Sequence, residues 1–362
     1  MAPAATVGWA VMATTGKPEH QRLRRRLDVL RQPLPIAAYT KLTRVAMVLL
    51  GLIVVTGAAV RLTGSGLGCP TWPQCGDGSF VAHSQFAVHG LVEFGNRLVS
   101  IGVGVFIAIV VIGSLRLQQR RRELTVLSSG LILGFVAQAV LGGLTVIFHL
   151  NPALVAGHFL VSMLLLWNAT VLDTRARQVA GTPVRLARRE LVLLADLLAV
   201  AAAAVLILGT VVTGAGPHSG DTGHVRRFDI NIRSAAQLHA DSAMLLTGLV
   251  IAMLFAVRMT SGPAVSRKLS TALGLTVVGQ AAIGFTQYFL SVPVGLVAIH
   301  VAGATLLWIL ALYLRLSLTG RVPVSASDQL VDGDGEEKQR EVRDREMEEP
   351  HRARVTTGGG TA

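Results

Sequence analysis

Charged residues are scarce in this sequence, and their scarcity excludes an ordinary soluble globular domain. Asp, Glu, Lys and Arg make up 15% of the 362 residues, hydrophobic residues make up 51%, and the mean hydropathy is +0.56. No signal peptide is predicted, because residues 17–32 (KPEHQRLRRRLDVLRQ) are polar and basic and the first long apolar run begins near Tyr39. The net charge of +12 does not indicate nucleic-acid binding, since Lys and Arg lie in short loops between apolar runs, as in membrane proteins.

Cysteine is nearly absent. Cys69 and Cys75 are the only two, and they lie six residues apart in the Pro- and Gly-rich stretch GLGCPTWPQCGDG. Their spacing allows a small disulfide, either as a structural staple or as a redox-active pair that exchanges electrons with a thiol carrier. The CxxC spacing that would favour the redox-active interpretation is missing.

Apolar runs of about 20 residues, the length that spans a bilayer, recur along the chain. The sequence therefore predicts an all-α polytopic membrane protein with eight transmembrane helices. The predicted spans are 42–62, 88–114, 124–148, 153–173, 191–214, 232–257, 269–290 and 294–315. We divide the chain into five parts: a cytoplasmic segment 1–38, a four-helix bundle 39–175, a cytoplasmic linker 176–190, a second four-helix bundle 191–316 and a tail 317–362. The tail is highly charged and contains few large apolar residues, which predicts a disordered cytoplasmic segment.

The distribution of basic residues predicts the orientation. The loops that follow odd-numbered spans contain only Arg226 and Arg227, whereas the other short loops and the amino-terminal segment contain 18 Lys and Arg residues. Because basic loops stay on the cytoplasmic side, both termini are predicted to be cytoplasmic in the cell membrane. The two cysteines then lie on the opposite side, where a disulfide can persist.

The chain contains an internal repeat. VVTGA occurs near the end of spans one and five, and QAVLGG in span three matches QAAIGF in span seven. Gln138 precedes His158 by 20 residues, and Gln280 precedes His300 by the same number, so the two pairs are offset by 142 residues. Since each half has four spans, the halves run in the same direction and are predicted to be related by a pseudo-twofold axis along the membrane normal.

Three histidines lie within the spans at one depth, roughly 10 Å below the outer boundary: His158, His239 and His300. Polar side chains at such depth usually face the interior of a bundle. His239 and His300 belong to the same half, with Ala, Gly and Ser around them, and two facing imidazoles in a bundle core are typical of a bis-histidine haem site. The alternative is a histidine hydrogen-bonded to a neighbouring helix. Other metals need more ligands than the sequence offers.

The amino-terminal half departs from this pattern in its second span. The repeat offset relates His239 to Asn96 or Arg97, so the facing histidine is missing there. His89 and Glu93, four residues apart on one helical face, lie nearby. Glu93 is a candidate general base or cation stabiliser, and the alternative is an ion pair with a neighbouring arginine. One half therefore has the pattern of a saturated electron-transfer site, and the other that of a reactive pocket.

These motifs resemble the haem A synthase family, over about residues 42–316. They are VVTGAAVRLTGSGLGCPTWPQC, EFGNR, QAVLGG followed by histidine with its second copy, and VVTGAGPHSGD. The resemblance implies that haem O is the substrate and that its C8 methyl group is oxidised to a formyl group by two hydroxylations with water as oxygen source. It implies haem B between His239 and His300, haem O in the amino-terminal half, a role for Glu93 in the reaction, and a Cys69–Cys75 disulfide. It also implies an electron acceptor and a membrane farnesyltransferase (haem O synthase) that supplies haem O.

One residue departs from the family pattern. Members commonly have Glu-x-x-His-Arg where this chain has Glu93-Phe-Gly-Asn96-Arg97. We expect His158 alone to bind the substrate iron. The alternatives are that His89 replaces the missing ligand or that Asn96 binds the iron weakly or through water.

Two other functions are compatible with parts of the pattern. A quinone-linked b-type cytochrome would have two equivalent bis-histidine haems, which the asymmetry of the halves disfavours. A transporter would have broken helices and no haem. The sequence leaves open whether chains form homo-oligomers. Membrane lipid is the expected surrounding of the spans.

Overall fold

The computed structural model describes residues 32–76, 78–80, 87–218, 220–221, 223, 226–260 and 262–323. In these ranges the chain forms mostly long α-helices, eight of which are long and apolar enough to cross a bilayer. The helices are α1 (Ile36–Leu62), α2 (Ala87–Leu115), α3 (Arg122–Ile147), α4 (Pro152–Arg177), α5 (Arg189–Ala215), α6 (Ile232–Met259), α7 (Ala264–Phe289) and α8 (Val294–Ser317). The predicted helical membrane architecture with eight spans is confirmed.

Local sequence signals set the ends of the helices, and the predicted span limits lie within a few residues of them. α1 begins after Pro35, which lacks the amide hydrogen a helix interior needs, and is six residues longer at its start than predicted. The Asn151 side chain caps α4 by accepting a hydrogen bond from the Ala153 amide at 3.0 Å, and the Asn231 side chain caps α6 in the same way. These caps fix where α4 and α6 start, and therefore the depth of the residues that follow in them.

The helices form two rings of four. α1 to α4 pack each on the next and α4 closes on α1; α5 to α8 repeat this pattern, with α8 closing on α5. The rings meet where α8 packs on α1 and α4, and α4 also packs on α5. At this contact the buried Trp308 donates an indole hydrogen bond to the Met163 carbonyl at 3.0 Å. The pseudo-twofold axis between the halves stays a prediction.

The turns that connect α3 to α4 and α7 to α8 share one unusual backbone. Two consecutive non-glycine residues have positive φ in each: His149 and Leu150 in the first, Ser291 and Val292 in the second. Both pairs are related by the 142-residue offset, and in both turns the amide of the second residue donates to the carbonyl five residues earlier, at 2.7 and 2.8 Å. Left-handed backbone is uncommon for such residues. The repeat therefore extends to the backbone conformation of these turns.

We call the side of the bundle where α4, α6 and α8 begin the histidine end, and the opposite side the terminal end. At the terminal end, β1 (Thr182–Arg185) pairs antiparallel with β2 (Thr319–Val322). The prediction that the whole of 317–362 is disordered is wrong for its first residues, because α8 extends to Ser317 and β2 follows. Residues 324–362, like 1–31, lie outside the described part of the chain.

A buried carboxylate joins three helices near the terminal end. Asp173 on α4 is fully buried and accepts hydrogen bonds from Thr43 of α1 at 3.3 Å, Arg177 at 2.5 Å and Tyr313 of α8 at 2.6 Å. Because Tyr313 comes from the other half of the chain, this cluster ties the two rings together at the end opposite the histidines.

Candidate functional site

His239 on α6 and His300 on α8 face each other inside the carboxy-terminal ring, as their shared depth predicts. Their ring centroids are 6.4 Å apart and the ring planes are inclined by 68°. His239 is the eighth residue of α6, and His300 and His158 are each the seventh residue of their helices, which puts all three about 10 Å from the helix starts. The structure thus brings together the two histidines that sequence spacing paired.

The space between these rings fits a metal held by both imidazoles. If each ligating nitrogen lies about 2 Å from the metal and about 1.1 Å from its ring centre, a linear arrangement separates the centroids by roughly 6.2 Å. The Nδ1 atoms of His239 and His300 are buried and lack hydrogen-bond partners within the described residues, although the Val205 backbone approaches the His239 ring. Buried polar atoms without partners are unusual, and these nitrogens are not held by competing hydrogen bonds from the described residues.

Glycines on the neighbouring helices leave room beside these rings. A Cβ at Gly209 of α5 would lie 3.2 Å from His239 Cε1, and a Cβ at Gly284 of α7 would lie 3.9 Å from His300 Cε1. Larger side chains at these positions would press on the imidazoles. Small residues therefore flank the histidine pair both on α6 and α8 and on the neighbouring helices α5 and α7.

The amino-terminal ring repeats half of this arrangement around His158. Gln138 Nε2 donates to the His158 carbonyl at 3.0 Å, and Gln280 Nε2 donates to the His300 carbonyl at 2.8 Å. Gly142, the counterpart of Gly284, would place a Cβ 3.4 Å from His158 Cε1. His158 Nδ1 is likewise buried without a partner in the described chain. The spacing of 20 residues thus reflects a hydrogen bond that fixes the backbone under each histidine.

The two side chains considered as substitutes for the missing histidine already have polar partners. Asn96 Oδ1 accepts a hydrogen bond from Thr56 of α1 at 2.9 Å. His89 Nδ1 lies 3.0 Å from the Ser65 hydroxyl in the loop after α1. Both contacts were invisible to sequence analysis, because their partners are 24 or more residues away. Of the three candidate iron ligands in this ring, His158 is the one whose side chain has no hydrogen bond to another side chain among the described residues.

Glu93 is almost fully buried, with 6% of its surface exposed, and both of its oxygens have partners. Oε2 accepts from the Cys69 amide at 2.7 Å, and Oε1 accepts from Arg97 at 2.5 Å in an ion pair one helical turn apart. Of the contacts considered from the sequence, the pairing with a nearby arginine is therefore present. The amide contact, which sequence analysis missed, ties the carboxylate to the loop that contains the cysteines.

That loop is covalently closed and packs tightly over the amino-terminal ring. Cys69 and Cys75 form a disulfide and are fully buried, as their spacing allowed. A Cβ at Gly68 would lie 2.3 Å from the His89 carbonyl oxygen, so only glycine permits this approach to α2. Trp72 of the loop lies against Gly143 of α3, the residue after Gly142, which lies beside His158. The loop thus covers the histidine end of this ring.

Within the described ranges, no three His, Cys, Asp or Glu side chains come together in a way that could hold a bare metal ion. A haem needs only one or two axial ligands, because the macrocycle supplies the others. The histidine pair in one ring and the single histidine in the other are compatible with that requirement.

Comparison with known proteins identifies a family and several relatives. The family model COX15-CtaA, described as cytochrome oxidase assembly protein, matches residues 40–312. Curated relatives named heme A synthase in Bacillus cereus (strain AH187), Bacillus anthracis (strain A0248) and Bacillus thuringiensis subsp. konkukian (strain 97-27) are each 33% identical over 114 residues. The aligned stretch is 31% of this chain and 36% of each relative, so the chain matches about a third of their length.

Proposed function

Since the chain belongs to the COX15-CtaA family of cytochrome oxidase assembly proteins, we propose that it is a haem A synthase. In this proposal it oxidises the C8 methyl group of haem O to a formyl group in the membrane. The amino-terminal ring binds haem O as substrate, and the carboxy-terminal ring holds haem B as a resident electron-transfer cofactor. The proposal includes the cell membrane as location and cytoplasmic amino and carboxyl termini, in line with the distribution of basic residues.

One observation carries the proposal: the same framework surrounds a histidine in both rings, but among the residues that the structure describes only the carboxy-terminal ring has a facing histidine. In the carboxy-terminal ring, the ring centroids of His239 and His300 are 6.4 Å apart, a separation at which both imidazoles could bind one iron. In the amino-terminal ring, Asn96 stands where the repeat would place the counterpart of His239, and its side chain accepts a hydrogen bond from Thr56. His239 and His300 together would hold the resident haem, which would supply electron transfer, whereas His158 alone would hold a haem that can enter as substrate and leave as product.

The reaction consumes water and releases electrons. Converting a methyl group to a formyl group with water as oxygen donor is a four-electron oxidation, in two hydroxylations that each release two electrons and two protons, followed by loss of one water. A bound haem B supplies the one-electron chemistry that passes these electrons onward. The final acceptor is a separate partner, and a farnesyltransferase that makes haem O is the partner that supplies the substrate.

The residues of the chain position the substrate and stabilise charge. His158 would ligate the haem O iron, while Gln138 holds the backbone beneath it. Glu93 would stabilise positive charge on the methyl carbon as it is oxidised, or accept a proton from the attacking water. Its ion pair with Arg97 and its bond to the Cys69 amide hold the carboxylate in one orientation. The disulfide-closed loop would limit access of bulk water to this ring.

Haem extraction from the purified protein tests the proposal. We expect haem A and haem O together with haem B in wild-type protein. Glu93→Gln, which keeps the size of the side chain and removes its charge, should retain haem B and haem O but lose most haem A. Haem B alone in the wild-type protein would support the quinone-linked b-type cytochrome instead. A colourless protein would contradict both and favour a transporter.

A further inference from the structure

Arg61, the penultimate residue of α1, reaches across to the other half of the chain. Its Nε donates to the His218 carbonyl at 2.8 Å, and its Nη2 donates to the Thr213 carbonyl at 2.9 Å. Both acceptors follow or end α5, in the carboxy-terminal half. Within the described residues Arg61 has no ion pair with a carboxylate, unlike Arg97, which pairs with Glu93. A partly buried guanidinium that meets only neutral carbonyls retains the capacity to bind an anion.

The position of Arg61 relates it to the histidine pair. Thr213 lies one helical turn beyond Gly209, about 6 Å along the axis of α5, and Gly209 is the residue against His239. The Thr213 hydroxyl donates to the Gly209 carbonyl at 2.7 Å, which joins these two turns. Arg61 therefore lies on the histidine end of the carboxy-terminal ring, one turn above the candidate haem ligand.

A second contact joins the same group to the other histidine. The His218 ring donates from Nε2 to the Val292 carbonyl at 2.8 Å, in the turn that immediately precedes α8. α8 contains His300 in its second turn. The Arg61 guanidinium is thus connected through the carbonyl and the ring of His218 to the start of α8, the helix that contains His300.

We propose that Arg61 binds a propionate carboxylate of the haem held by His239 and His300, so that the amino-terminal half completes the cofactor site of the carboxy-terminal half. This inference rests on the haem site of the proposed function. Haem carries two propionates, which are its only anionic groups at the edge of the ring and need a cation when they approach a membrane interior. The guanidinium is suited to this task because it binds a carboxylate through two parallel donors.

The proposed contact between Arg61 and a haem propionate is tested by changing each partner separately and both together. Full-length protein produced without haem is titrated in detergent with haem B and with haem B dimethyl ester, whose carboxylates are blocked. Binding is read from the low-spin absorption bands that bis-histidine ligation gives. The wild-type protein should bind haem B about 10- to 100-fold more tightly than the ester, as expected for one charge-assisted contact. In Arg61→Met the preference should fall to near unity, and Arg61→Lys should retain part of it.

Arg227→Met is the matched control, because Arg227 lies at the same end and, among the described residues, donates to the Pro217 carbonyl at 3.3 Å. It should keep the wild-type preference. An equal preference in wild-type protein and Arg61→Met would overturn the pairing while leaving bis-histidine haem binding intact. Failure of the wild-type protein to bind haem B with low-spin bands would overturn the pairing and the proposed function together.

Discussion

Replacement of Gly209 by valine probes how closely α5 approaches the histidine pair. A Cβ at this position would lie 3.2 Å from His239 Cε1 and 3.6 Å from its Nδ1. Carbon atoms in good contact are about 3.5–4.0 Å apart, so the ring would have to retreat even before the two valine methyl groups are added. The α5 backbone cannot yield easily, because Ala202 and Leu206 bury it in the core. Overpacking of this kind costs about 1–3 kcal/mol.

We expect that cost to appear as weaker haem binding, by roughly 5- to 150-fold. The measurement is a titration of haem-free protein with haem B, followed at the Soret band. Gly248→Val serves as the control, because it changes the helix that carries His239 and a Cβ there has nothing within 4 Å. If Gly209→Val and Gly248→Val bind haem with the same affinity as wild type, α5 does not approach a haem-binding His239 as closely as described.

Three further changes test the elements around the site. Glu93→Ala should destabilise the protein by about 3–5 kcal/mol, because it leaves Arg97 without its buried partner, and Glu93→Gln should be milder; thermal unfolding in detergent measures both. Gly68→Ala should lower the free energy of unfolding by about 1–3 kcal/mol and make the Cys69–Cys75 disulfide more accessible to a reductant. If the variant and the wild-type protein are reduced at the same rate, the loop does not pack against α2 as closely as described. Asp173→Ala should lower the free energy of unfolding by about 1–3 kcal/mol, because it leaves the Tyr313 hydroxyl without its hydrogen-bond partner. An unchanged unfolding temperature would refute a stabilising role for Asp173.

Sequence periodicity was sufficient for the helices and for the histidine layer. The spans are uninterrupted apolar runs, and the depth of a residue follows from its count within a helix of known rise. For this reason the shared depth of His239 and His300 was predictable from spacing, and their polarity indicated that both side chains point to the interior of the bundle. The internal repeat was predictable for a similar reason, since Gln280 and His300 recur at the spacing that their hydrogen bond requires.

Contacts between distant segments were beyond the reach of sequence patterns. β1 pairs with β2 across 137 residues, and neither four-residue strand has a distinctive apolar alternation. The partners of Asn96 and Arg61 are hydroxyl and carbonyl groups, which every part of the chain offers, so residue type does not identify them. The turn at 149–150 uses left-handed residues without glycine, the residue by which such turns are usually recognised.

Replacement of His239 and His300 together tests the central claim most directly. The claim is that these two imidazoles hold iron in the carboxy-terminal ring, beside a second ring with a single histidine. We expect the His239→Ala, His300→Ala protein to lose the low-spin haem B spectrum and most of its haem B, while His158→Ala keeps both. A double variant with an undiminished Soret band and wild-type haem B content would contradict the claim.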